Sequence, residues 1–116
     1  MDLNKEQLLD LNIIQGLKDL SDDDSFFLEI IDLYKEQYPQ ILDNIKVTYS
    51  NNDLEGLSKA SHALKGASLN IGAKELASVC KELELNSKNG INEGLDTLIS
   101  QIEDLYILTI KEIEKL

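Results

Sequence analysis

Tryptophan is absent, and cysteine, proline and histidine occur once each. A single cysteine excludes an intrachain disulfide, and one histidine with one distant cysteine cannot supply the usual zinc ligand sets. Long apolar runs are missing too: the longest, Leu105–Leu108, is far too short to cross a bilayer. The opening residues, Met1-Asp2-Leu3-Asn4, carry no basic stretch followed by an apolar one, so no secretory signal is expected. Positive charge is scarce. Eleven Lys plus Arg face twenty-two Asp plus Glu, a net charge of −11, which repels phosphate backbones and anionic membrane surfaces. Four Tyr and two Phe offer little platform for stacking bases. Neither a nucleic-acid nor a membrane role is expected, and a cytoplasmic location is. What is present, 42% apolar and 28% charged residues over 116 positions, suits one globular domain over residues 1–116.

Apolar positions recur at threes and fours, with one Pro and six Gly to interrupt them. This is helical periodicity rather than strand alternation. A short first helix is expected from about Ile13 to Leu20 with Asn12 as N-cap, and Asp22-Asp23-Asp24-Ser25 supplies cap candidates for the next. In that helix Phe27, Ile31, Tyr34, Tyr38, Ile41, Ile45 and Thr48 keep phase past Pro39. One long helix kinked at the proline is therefore expected, not two. A third helix carries Leu54, Leu57, Ser61, Leu64, Ser68 and Ile71 and ends at Gly72. The fourth carries Leu76, Val79, Cys80 and Leu83 and closes at Asn89-Gly90. The fifth begins near Asn92, with Leu95, Leu98, Ile102, Leu105, Thr109 and Ile113 as its stripe. Short connections between the four long helices predict an all-α, antiparallel four-helix bundle with a short extra N-terminal helix.

Chemistry has few places to reside. No G-x-x-x-x-G-K-[ST] or G-x-G-x-x-G cradle occurs, so ATP binding is not expected. Asp22–Asp24 lack the spaced ligands and Gly of a calcium loop. That leaves His62. The stripe of its helix points roughly 135° away from it, at about 100° per residue, so the ring should face solvent. Ser58, Lys59, Lys65, Gly66 and Leu69 share that outer face. Gly66 costs a helix about 1 kcal/mol relative to Ala. It either gives a partner clearance to reach the ring or is simply a tolerated or packing glycine. Leu54–Lys74 carries three Lys against Glu55, a local +2 that suits a phosphoryl group near Lys65, or is ordinary helix-surface lysine.

Ser61-His62-Ala63-Leu64-Lys65-Gly66-Ala67-Ser68-Leu69-Asn70-Ile71-Gly72-Ala73 resembles the phosphoacceptor motif of histidine phosphotransfer (HPt) domains, approximately A-H-x-L-K-G-x-S-x-x-x-G-A. Cys80-Lys81-Glu82-Leu83-Glu84 is similar to that family's C-x-x-L-E, and Phe26–Tyr34 with Pro39 to its long first bundle helix. Ser61 stands in place of the usual Ala, and Ala63 where Thr is frequent. The resemblance implies that His62 accepts a phosphoryl group from a response-regulator aspartate and yields it to another in a multistep phosphorelay. It implies Lys65 as the charge that stabilises the moving phosphoryl, Gly66 as clearance, and Ser58, Lys59 and Leu69 as partner contacts. Receiver domains and a hybrid sensor histidine kinase are the partners it implies. Mg²⁺ would sit on the receiver, with no cofactor or metal on this chain and no ATP-dependent kinase activity of its own. A monomer is expected. Met1 and a finished last helix lean towards a stand-alone protein; the alternatives are a module of a hybrid or chemotaxis-type kinase, or a non-catalytic adaptor that binds a response regulator.

Overall fold

The computed structural model describes residues 3–116 and contains six helices in that span: α1 (Lys5–Leu8), α2 (Leu11–Lys18), α3 (Ser25–Ser50), α4 (Leu54–Asn70), α5 (Lys74–Lys88) and α6 (Leu95–Glu114). The last four form the predicted antiparallel bundle. Its turns are made by one device used three times. α3, α4 and α5 each end with a residue of positive φ, namely Asn52 (53°), Gly72 (76°) and Gly90 (72°). Beyond each, the next N–H folds back onto the helix: Asp53 to Thr48 O, Ala73 to Ser68 O and Ile91 to Asn86 O, all at 2.9 Å. The chain reverses within residues 51–53 and 71–73, which places neighbouring helices side by side.

The predicted stripes are the core. Leu57 and Leu64 of α4 and Leu76 and Leu83 of α5 are fully buried in the core, each worth about 1.5–3 kcal/mol relative to exposure. α3 continues through Pro39, although the proline has no N–H to offer the carbonyl one turn earlier. Tyr106 of α6 closes the bundle against α3, stacked on Tyr38 at 3.5 Å and tilted to Tyr34 at 5.9 Å. Among the described residues no helix is long and apolar enough to cross a membrane.

The N-terminal segment and the helix starts differ from expectation. α1 was not legible in the sequence; it is one turn closed by a reciprocal cap between Asn4 and Gln7, and it buries Leu8. α2 starts at Leu11, not Ile13, because Asp10 rather than Asn12 is its cap, accepting the N–H groups of Asn12 and Ile13 at 3.1 and 3.3 Å. Asp10 also ties this segment to the bundle, donating its own N–H to Gly72 O at 2.7 Å. A Cβ on Gly72 would lie 2.9 Å from Asp10 O, so both its φ and this close approach require glycine. At the start of α3, Asp24 is the cap residue by position but caps nothing with its side chain. Ser21 Oγ and Asp23 accept the N–H groups of Phe26 and Ser25 instead. α6 begins at Leu95, after Gly94.

Gly56 is a second constrained glycine. Asp53 caps α4 by accepting the Gly56 N–H at 2.9 Å. A Cβ there would run into the Asp53 carboxylate and come within 2.9 Å of Thr48 Cγ2. Gly56→Ala is therefore expected to lose about 1 kcal/mol, the cap outweighing alanine's helix propensity. Thermal unfolding checks the sign, and a stabilised variant would contradict the packing described.

Candidate functional site

α4 turns His62 outward as its stripe requires: the side chain is 66% exposed, while Leu64 and Ser61 on the opposite side are fully buried. Ser61 accommodates its burial by donating its hydroxyl to Leu57 O at 2.7 Å. Ser68 does so across the bundle, with Tyr34 Oη 2.8 Å away. One hydroxyl, that of Thr109, is buried without a partner among the described residues, and it lies on α6, outside this site.

The imidazole is oriented by a residue to which sequence reasoning gave no role. Glu84 of α5 places Oε2 2.9 Å from His62 Nδ1 and Oε1 2.7 Å from Lys65 Nζ. Lys65 first, and then His62, hold its carboxyl below the usual carboxylate range, against the opposing pull of partial burial. Glu84 is therefore ionised at neutral pH and can only accept hydrogen bonds. A neutral ring facing it must carry its proton on Nδ1, which leaves the lone pair on Nε2. The Nδ1 contact is the one hydrogen bond of the ring among the described residues. The C-x-x-L-E motif contained the signal, since Glu84 is its last residue.

The other expected site residues divide. Gly66 has nothing within 4 Å of the position a Cβ would take, so the reading of Gly66 as a packing contact falls. Leu69 continues the same face, 47% exposed. Lys59 is exposed and pairs with Glu55 at 3.3 Å. Ser58 turns inward and donates its hydroxyl to the main-chain carbonyl of Glu84 at 3.2 Å. The local +2 therefore needs correction. It counted residues 54–74, which take in Lys74 at the start of α5 but stop short of Glu84; that carboxylate compensates Lys65, so the imidazole does not sit in an uncompensated positive field. Beside the ring, between α4 and α5, runs a groove of about 540 Å³ lined by Leu54, Ser58, Lys59, Ser87 and Lys88 among others. No cluster of three or more metal-ligating side chains forms among the described residues. Cys80 offers no competing nucleophile, because burial pushes its thiol up to about 12.

The site is one oriented, solvent-facing imidazole on a helical bundle, beside a paired lysine and an open glycine. The chain belongs to the Hpt domain family, whose model matches residues 29–107. Its fold is that of histidine-containing phosphotransfer protein B from Pseudomonas aeruginosa PAO1, with a TM-score of 0.81 and 27% identity over 92% of both chains. A histidine-containing phosphotransfer protein from Medicago truncatula shares the fold with a TM-score of 0.83, at 21% identity over 96% of this chain and 78% of that one. The sequence is also 28% identical, over 90% of its length, to the multistep phosphorelay regulator 1 of Schizosaccharomyces pombe, of which it spans 40%.

Proposed function

We propose that this protein relays phosphoryl groups between response-regulator aspartates in a multistep phosphorelay, with His62 as the phosphoacceptor. The observation that carries this reading is the 2.9 Å contact from Nδ1 to Glu84 in a ring whose side chain is 66% exposed, because a neutral ring so held carries its proton on Nδ1 and its lone pair on Nε2. In the transfer, the Nε2 lone pair attacks phosphorus, the bond from phosphorus to the aspartyl oxygen breaks, and the carboxylate leaves with the electron pair. Nδ1 keeps its proton, so the phosphorylated ring carries a formal positive charge, which the Glu84 carboxylate balances. The return step reverses this: a second regulator's aspartate attacks phosphorus and the electron pair returns to Nε2.

Lys65 cannot act as a free cation while it is paired at 2.7 Å. The phosphoryl group must compete with Glu84 for it, and a group carrying more than one negative charge does so effectively. Gly66 leaves the receiver room to descend on the ring, with Leu69 and Lys59 on the approaches. The receiver contributes its aspartate and its Mg²⁺. A hybrid sensor kinase is the upstream partner, and the protein works as a monomer.

Incubation with a phosphorylated receiver domain tests this. The expected result is acid-labile, alkali-stable label on His62. Binding of the receiver without label would instead identify a non-catalytic adaptor.

A further inference from the structure

Three side chains of α4 converge on one residue of α5. Ser58 Oγ donates to the main-chain carbonyl of Glu84 at 3.2 Å, while His62 and Lys65 take its two carboxylate oxygens at 2.9 and 2.7 Å. Positions 58, 62 and 65 are spaced by four and three, which is one face of a helix. From α5 itself, Ser87 Oγ donates to Leu83 O at 2.6 Å and also lies 3.1 Å from the Glu84 carbonyl. Ser58 differs from Ser61 and Ser87 in its partner. Ser61 and Ser87 satisfy their hydroxyls on their own helices, four residues back. Ser58 instead reaches across the seam.

We infer that Ser58, assisted by Ser87, is a positioning residue for His62: it fixes the main chain of Glu84 against α4, and so determines where the carboxylate meets Nδ1. The inference rests on His62 being the nucleophile. A glutamate has three rotatable bonds, and its carboxylate can follow a mobile lysine into several geometries. Lys65 is a point charge on a flexible stem and sets no fixed direction. With the carbonyl of residue 84 anchored to the helix that bears the imidazole, the side chain starts from a fixed point, and fewer of its rotamers bring the carboxylate to Nδ1 in another direction. The Nδ1–H tautomer is then maintained even as Lys65 turns towards the phosphoryl group. Ser58 thus acts within the protein and not as the partner contact expected from its place on the outer face.

Because His62 is the sole histidine, imidazole ¹⁵N spectra of the whole protein report its tautomer without ambiguity. Ser58→Ala is expected to raise the Nε2–H population. It should also slow phosphoryl transfer at saturating receiver by roughly fivefold, the scale of one orienting hydrogen bond. Receiver affinity should be unchanged. Ser58→Thr keeps the hydroxyl, its added methyl has the groove to enter, and it should restore both tautomer and rate. Wild-type tautomer and rate in Ser58→Ala would overturn the inference. So would lost receiver affinity with the tautomer intact, which would return Ser58 to the partner surface. A wild-type protein that takes no label on His62 would instead refute the phosphotransfer reading. The tautomer comparison would still judge whether Ser58 positions the ring.

Discussion

His62→Gln is expected to abolish phosphoryl acceptance and to leave the thermal unfolding of the protein within about 0.5 kcal/mol of wild type. Glutamine is the informative replacement because its side-chain amide can still donate to Glu84. The hydrogen bond across the α4–α5 seam is kept, and only the nucleophilic lone pair is lost. The ring is 66% exposed and fills no space in the core, so no cavity forms. A time course with a phosphorylated receiver, followed by an unfolding curve on the same preparation, measures both. Residual label would place the acceptor elsewhere. A loss of helicity or of cooperative unfolding would mean that the imidazole supports the bundle.

Gly66→Gln separates two effects in opposite directions. Nothing lies within 4 Å of the Cβ position, so the substitution strains no neighbour. Helix propensity and a less flexible unfolded chain should then raise stability by up to about 1 kcal/mol. The new side chain, however, rises one turn along from His62 on the face proposed for receiver docking. Transfer is expected to fall by roughly tenfold or more, equivalent to about 1.4 kcal/mol of docking energy. A stabilised protein with full transfer would remove clearance from the functions of Gly66. A destabilised one would contradict the open surroundings of the residue.

The sequence displayed the bundle clearly because its long helices are amphipathic over many turns. Phe27 to Thr48 kept a single phase through Pro39, and α3 is a single helix from Ser25 to Ser50. The orientation of His62 followed from the same arithmetic applied to α4. Short segments gave no such signal. α1 is four residues long, too few to show a period, and it exists because Leu8 and Leu9 are buried by tertiary packing. The Asp10 cap was hidden for a related reason: Asn12 is as good a cap residue by type, and only the tie from Asp10 to Gly72 O selects between them. Glu84 was obscured by number. It is one of twenty-two acidic residues, and its pairing with His62 and Lys65 runs between helices, where a single helical period carries no information. The count of positive charge over residues 54–74 failed on the same ground, since the compensating carboxylate, Glu84, lies further along the chain and reaches Lys65 only through the packing of α5 on α4.

The turn at residues 71–73 also bears on the order in which the protein acquires its competence. His62 and Glu84 are 22 positions apart, on adjoining arms of one helical hairpin whose reversal is fixed by the hydrogen bond from Ala73 N–H to Ser68 O. Contacts this near in the chain cost little loop entropy to close, and such contacts form early and re-form quickly after local opening. The imidazole, its carboxylate and the lysine thus belong to one local unit. The N-terminal segment meets that unit at its turn, where Asp10 donates its N–H to Gly72 O. The geometry of imidazole, carboxylate and lysine is the property of one hairpin, against which α3 and α6 pack.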